Sequence, residues 1–288
     1  MFQKFDPGTK RPRRRARRSG ARFNRVPLRI VLPNMVTLLA LCSGLTAIRL
    51  ALEGRLELAM MAILLAAFLD ALDGRLARLL KGTSRFGAEL DSLTDFVNFG
   101  VAPALILYQS SLSTLDNLGW IAALLYAICA GLRLARFNAA LDEPVEPYRI
   151  HFFTGVPAPA GALLALLPMY FALLGGRWLT ELPLFVAGYI VVIGLLMVSS
   201  LPTLSGKRFG ARLPSDSVLP IMVAGAALIA LLVAFTWHVL IALSLLYLAL
   251  LPVGVMLFRR MAAGYDPTAI NPLDQSSSDA ASSHASDQ

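Results

Sequence analysis

The chain has 288 residues, of which 57% are hydrophobic and only 15% charged, and its mean hydropathy is +0.65. A soluble globular domain runs nearer roughly 45–50% apolar with about a quarter of its residues charged, so a water-soluble domain is excluded. The net charge of +8 does not describe a nucleic-acid-binding face: residues 1–30 alone hold eleven Lys or Arg against one Asp, and the rest of the chain is slightly acidic.

In chain order, the basic tail 1–30 is expected to be disordered and cytoplasmic. It acts as a retention signal under the positive-inside rule and can also be drawn to anionic lipid headgroups, at about 1 kcal/mol per basic residue near the surface. A cleavable signal peptide is not expected, because the apolar run that follows exceeds the roughly 7–15 residues of such a core and no small-residue cleavage site follows it. Eight apolar runs come next, each near the roughly 20 residues that span a bilayer. They lie at 32–53, 57–80, 88–110, 118–138, 154–174, 178–200, 217–237 and 238–258. Cys42 and Cys129 both fall inside such runs, which reads as packing rather than as a disulfide or a thiol metal site. The Ser-, Asp- and Ala-rich end cannot bury enough surface to offset its ordering entropy. The expected architecture is an all-α integral membrane protein with about eight transmembrane helices. It comprises the tail 1–30, a membrane core at 31–212, two additional helices at 213–260 and a disordered cytoplasmic tail at 261–288.

Charge asymmetry tests that count. With the N-terminus inside and eight crossings, the outer side receives only Arg49, Arg55 and Arg177 of the 26 basic residues, and a shift by one span would spoil the asymmetry. The expectation is a multi-pass protein of the cell inner membrane with both termini and the functional face cytoplasmic.

The second and third runs adjoin through a polar segment that lipid would not tolerate. Asp70, Asp73, Gly74 and Ala77 stand at i, i+3, i+4 and i+7 of one helix, and Gly87, Asp91 and Asp95 recur at four-residue spacing on the next, so each set occupies one face. A short basic turn, Lys81 to Arg85, lets the two faces meet near the inner boundary. Four clustered carboxylates repel one another, and cations are the economical remedy. Oxygen ligands without His or Cys favour Mg²⁺ or Mn²⁺ over zinc, and two such ions side by side suit pyrophosphate chemistry. Gly74 and Ala77 keep the helix surface low beside the acids, and Arg78 can bind phosphate. A single Asp here would be an interfacial residue; four at these spacings have no comparably plain explanation.

The segment reads D-x2-D-G-x2-A-R-x8-G-x3-D-x3-D without a departure and resembles the signature of the CDP-alcohol phosphotransferase family. The resemblance implies a membrane-embedded transferase with a six-helix core, usually a homodimer, using two divalent metal ions, Mg²⁺ or Mn²⁺. By motif position it implies Asp70, Asp73, Asp91 and Asp95 as metal ligands, with Asp95 also the general base on the acceptor hydroxyl. It places Asp70, Gly74, Ala77, Arg78 and Gly87 at the CDP moiety. Further segments are similar to the phosphatidylserine synthase branch: Leu32 to Thr37, Leu132 to Asn138, Gly155 to Pro159, Met197 to Ser200 and Ser205 to Lys207. That branch implies CDP-diacylglycerol and L-serine as substrates, with phosphatidylserine and CMP as products.

Serine brings a carboxylate as well as a hydroxyl, so its pocket needs a cationic anchor. Arg133 and Arg136, one helical turn apart at the end of the fourth run, are the candidates, with Asn34 behind Pro33 added on the resemblance. Arg149, His151, Lys207 and Arg208 share that side but read as interfacial. Two rivals stand beside this reading: the same transfer to glycerol 3-phosphate or choline, and a cation- or proton-coupled transporter using the same acids as a relay. Transporters favour midplane sites, broken helices and internal repeats, and no second carboxylate set is present in the other half of the sequence.

Overall fold

In the computed structural model, which describes residues 28–140, 152–204 and 215–263, the first run forms α1 (Leu28–Leu52). Pro33, Thr37, Ala40, Gly44, Ala47 and Ala51, with Ser43 beside them, are its buried positions, a stripe at three- and four-residue spacing. Small side chains on that stripe let α2 (Leu56–Leu79) approach closely, as helices do in lipid where apolar burial alone gives no preference. The α2 residues turned inward are Ala59, Met60, Ile63, Ala66 and Asp73, and Ser43 Oγ donates to the Ala62 carbonyl at 2.8 Å.

The turn after α2 is built by backbone chemistry. Lys81 takes a positive φ of 49° and the Gly82 N–H reaches back to the Ala77 carbonyl at 3.0 Å, the six-to-one closure of a Schellman cap. Gly82 packs so closely on the start of α1 that a Cβ would stand 2.0 Å from the Arg29 carbonyl oxygen. Ser84 then caps α3 (Arg85–Asp95), accepting from the Gly87 N–H at 3.0 Å, which supplies one of the helix's orphan donors with a partner.

From α3 the chain passes through a π-helical turn, Phe96–Val101, into α4 (Ala102–Ser110), so that Arg85–Ser110 forms one rod. Pro103 has no N–H for the Phe99 carbonyl four residues back; the buried Tyr126 hydroxyl of α5 (Asn117–Ala139) donates to that oxygen at 2.9 Å. The same device recurs in the next rod, α6 (Ala158–Ala165) and α7 (Leu167–Leu173). There Pro168 leaves the Leu164 carbonyl open, and Tyr189 of α8 (Pro183–Val198) donates to it at 2.7 Å. Neighbouring helices thus satisfy the groups that proline frees, the condition for tolerating proline at membrane depth. Two C-terminal helices follow, α9 (Ser215–Ala234) and α10 (Thr236–Ala263), joined by Phe235 alone.

Helical rods fall at each of the eight runs, with two corrections. The fifth run begins not as helix but as β1 (Phe152–Thr154), antiparallel to β2 (Pro202–Leu204) with Phe153 opposite Thr203. An all-helical description therefore omits a short ribbon. Its cause lies at Gly155, whose φ of +76° and near contact with the Met197 and Ser199 carbonyls admit no side chain; Pro157 then delays the helix to Ala158. The sixth run is likewise shorter than expected, beginning at Pro183. Leu28–Leu52, Arg85–Ser110, Asn117–Ala139 and Thr236–Phe258 are long and apolar enough to cross a membrane, while Pro183–Val198 and Val218–Ala234 are apolar but shorter. The chain is a helical, multi-pass membrane protein. The core gathers Met60, Ile63, Phe99, Tyr126, Leu164 and Tyr170, each at most 2% exposed, while Leu39, Phe68, Leu118, Leu184 and Val233 lie outside it, all more than half exposed. The tails and the loop residues Arg149, His151, Lys207, Arg208 and Arg212 lie outside the described residues.

Candidate active site

The Schellman turn sets α2 and α3 antiparallel, and the acidic faces meet. Asp70, Asp91 and Asp95 each present a carboxylate oxygen within 4.8 Å of the other two. Asp73, one turn further along α2, is 4% exposed and lies outside that closest trio. It faces α1, beside the Thr37 hydroxyl and within electrostatic reach of Asp70 and Asp91. That hydroxyl donates to the Pro33 carbonyl at 3.1 Å.

Among the described residues none of these four carboxylates is within ion-pair distance of a Lys or Arg; the ion pairs are Arg49–Glu53 and Arg55–Glu53, at the far end of α1. Asp73 Oδ2 and Asp95 Oδ1 are buried without a hydrogen-bond partner. Buried carboxylate oxygens left open in this way carry a desolvation cost that a cation would offset. Oxygen ligands alone, without His or Cys, fit a hard divalent ion.

The remaining motif residues surround this cluster unequally. Gly74 has open space where a Cβ would stand, with nothing within 4 Å; Ala77 is half-buried and Arg78 exposed. Gly87 is tight instead: a Cβ there would lie 2.7 Å from Asn34 Oδ1 and 3.1 Å from Ser84 Oγ. Asn34 is thereby brought against the first turn of α3. Arg133, half-buried, lies within electrostatic reach of Asp95 with its guanidinium carbon 5.5 Å from the centre of the Phe137 ring. Arg136 turns away, exposed, and donates to the Val198 carbonyl at the end of α8; it ties α5 to α8.

Three residues here were not singled out from sequence. Ser84 caps the helix that carries Asp91 and Asp95, and the Thr37 hydroxyl stands beside Asp73. Asn98 lies three residues beyond Asp95 in the π-turn, fully buried, with neither amide atom hydrogen-bonded. A Cβ on Gly44 would stand 1.9 Å from its Oδ1. An Asn inside an apolar run was the available signal, because polar groups at membrane depth are costly.

Comparison with known proteins adds two findings. The family described as CDP-alcohol phosphatidyltransferase matches residues 30–199, and a second description, CDP-alcohol phosphatidyltransferase 2, matches residues 216–252. The second match covers most of α9 and α10, outside the six-helix core that the motif resemblance implies. A CDP-diacylglycerol--serine O-phosphatidyltransferase of Mycobacterium bovis is 43% identical over 243 residues, covering 81% of this chain and 80% of its own. Proteins of the same name from Helicobacter pylori and Methanocaldococcus jannaschii are 39% and 38% identical, covering 59% and 60% of this chain and 70% and 73% of theirs.

Proposed function

The chain belongs to the CDP-alcohol phosphatidyltransferase family, and from that premise we propose that it is a phosphatidylserine synthase. It transfers the phosphatidyl group of CDP-diacylglycerol to the hydroxyl of L-serine and releases CMP. The observation that carries the reading is the trio Asp70, Asp91 and Asp95, with oxygens mutually within 4.8 Å and no cationic side chain paired to them among the described residues. The names of relatives sharing about two-fifths of their residues with this chain supply the acceptor.

Asp70, Asp73, Asp91 and Asp95 would hold two divalent ions, Mg²⁺ or Mn²⁺. When bound, these supply charge neutralisation of the pyrophosphate and of the departing phosphate oxygen. Gly74 and Ala77 leave the α2 surface low enough for the nucleotide to lie against the backbone, Arg78 offers a guanidinium to phosphate, and Gly87 with Asn34 closes the opposite wall. Asp95, the further along of the two acids on α3, takes the proton from the serine hydroxyl as its oxygen attacks the lipid-linked phosphorus and CMP departs. Arg133 balances the serine carboxylate.

The acyl chains of the substrate remain in the bilayer, which places the site at a membrane boundary. The eight runs, the concentration of Lys and Arg between alternate pairs of them and the basic tail support eight crossings of the inner membrane with both termini cytoplasmic. Contact of that tail with anionic headgroups and assembly as a homodimer belong to the same reading.

The test supplies membranes containing the full chain with CDP-diacylglycerol, Mn²⁺ and one labelled acceptor at a time. Serine should be converted to phosphatidylserine with equimolar CMP, and chelation should abolish it. Consumption of glycerol 3-phosphate or choline in place of serine would overturn the acceptor and leave the family standing. Solute movement without metal-dependent CMP release would overturn the enzyme.

A further inference from the structure

Around Asp95 the chain holds buried polar atoms that the transfer chemistry does not use. Thr94 and Asn98 are 1% and 0% exposed, yet Thr94 Oγ1, Asn98 Oδ1 and Nδ2, and Asp95 Oδ1 are all buried without a hydrogen-bond partner among the described residues. Asn98 stands four residues from Thr94 and three from Asp95, the two spacings at which side chains on one helix are neighbours. Buried polar atoms are nearly always bonded, and at membrane depth an open amide is costly. Open atoms on three neighbouring side chains therefore call for a shared partner.

The surrounding backbone is arranged to admit the Asn98 amide. Asn98 lies in the π-helical turn Phe96–Val101, which packs between α1, α5 and α6; such turns recur at functional sites. On the α1 side it meets Gly44, where a Cβ would overlap the amide oxygen and stand 2.8 Å from Cγ. The glycine leaves the room that the amide fills. On the α5 side Tyr126 serves the Phe99 carbonyl, and a Cβ on Gly100 would stand 3.0 Å from the Ala130 methyl. Packing, not hydrogen bonding to protein groups, holds the amide in place.

The open atoms include a donor, Asn98 Nδ2, and acceptors, Asp95 Oδ1 and Asn98 Oδ1, while the Thr94 hydroxyl can act as either. A cation would serve the acceptors and leave the amide N–H open. A water can accept from Nδ2 while donating to Asp95 Oδ1, and Thr94 gives it a third partner, the usual complement of a buried water. We propose that Asn98 is a positioning residue for Asp95, acting through a single buried water that both share with Thr94. The bridge fixes the plane of the Asp95 carboxyl and so the direction from which it meets the acceptor hydroxyl; carboxylates that hold metal are commonly oriented by such outer partners. This rests on the reading of Asp95 as the base of the transfer and adds the group that holds the base in place.

Two measurements on the full chain test this. An experimental map of the metal-free protein in chelator, fine enough to show ordered water, should place one water within hydrogen-bond distance of Asn98 Nδ2, Asp95 Oδ1 and Thr94 Oγ1. An amide bonded directly to protein groups, with no water between it and Asp95, overturns the proposal. The second compares wild type in nanodiscs at saturating Mn²⁺ with Asn98→Leu, close in shape but without a donor, and Asn98→Ser, which keeps one. The expected result for Asn98→Leu is a fall in kcat per folded chain of about 10–100-fold, with KM for serine and for CDP-diacylglycerol unchanged, and Asn98→Ser should recover most of the loss. A merely structural role would lower the yield of folded chain and leave the rate per folded chain alone. An unchanged kcat, or equal losses in the two variants, overturns the positioning role; should Asn98→Leu not fold, the map decides. If the wild type releases no CMP with any acceptor, the transferase reading falls and takes the positioning role with it, whatever the map shows.

Discussion

Asp95→Asn should have opposite effects on stability in the absence and presence of metal. Three carboxylate oxygens stand within 4.8 Å of one another, and two like charges about 5 Å apart repel by roughly 3 kcal/mol at an effective dielectric constant near 20. Asp95 takes part in two of the three pairs. Because the group is only partly buried, water and counter-ions screen much of this, and a net relief of about 1–3 kcal/mol is the reasonable expectation. In chelator, Asp95→Asn should therefore unfold later than wild type, by about 2 °C per kcal/mol, the lower end of the range for chains of roughly 150–250 residues, since this chain is longer. With Mn²⁺ at about a hundred times its dissociation constant, wild type gains about 2.7 kcal/mol from linkage. The variant, one ligand short, gains much less, so the order of the two proteins inverts. The assay is the apparent unfolding midpoint of the full chain in detergent with and without Mn²⁺. A variant less stable than wild type in chelator would refute the reasoning, because the carboxyl would then be a structural hydrogen-bond partner rather than a repelled charge.

Other positions give predictions of different sign. Gly74→Ala meets nothing within 4 Å and replaces a helix-interior glycine, so stability should hold or rise by up to about 1 kcal/mol; KM for CDP-diacylglycerol should nonetheless rise about tenfold as the new methyl group holds the nucleotide off the backbone. Gly82→Ala puts a Cβ 2.0 Å from a backbone oxygen of α1, so the turn must open; both the midpoint and the transferase rate should fall, and a wild-type rate would show that the turn does not set the site. Tyr126→Phe removes the donor to the Phe99 carbonyl that Pro103 cannot serve, and should cost about 1 kcal/mol in unfolding while leaving metal binding intact.

Much of this arrangement was legible in the order of residues, for a physical reason. A bilayer demands long apolar runs, so helices announce themselves by length, and charges inside such runs stand out. The spacing of Asp70, Asp73, Gly74 and Ala77 and of Gly87, Asp91 and Asp95 specified two faces on two helices. What spacing could not specify was which carboxylates meet most closely: Asp73 turns toward Thr37 because the crossing of α1 over α2 buries it there. Arg136 looked equivalent to Arg133 on the helix surface, yet the end of α8, a long-range contact, draws it to the Val198 carbonyl. The ribbon at Phe152–Thr154 is hidden because two Phe and a Thr just before Gly155 and Pro157 merge with the apolar run that starts at residue 154. Nor does periodicity reveal the pairings of Tyr126 with Phe99 and Tyr189 with Leu164, since each joins a proline-freed carbonyl to a helix remote in sequence.

The claim on which the rest depends is that Asp70, Asp91 and Asp95 together bind hard cations. Titration of the full chain with Mn²⁺, followed by electron paramagnetic resonance in the presence of CDP-diacylglycerol, measures this directly. The account predicts two bound Mn²⁺ per chain with mutually coupled spectra, and loss of that signal in each of Asp70→Asn, Asp91→Asn and Asp95→Asn. Wild-type titration in all three variants, or ions bound without reference to these carboxylates, would contradict it.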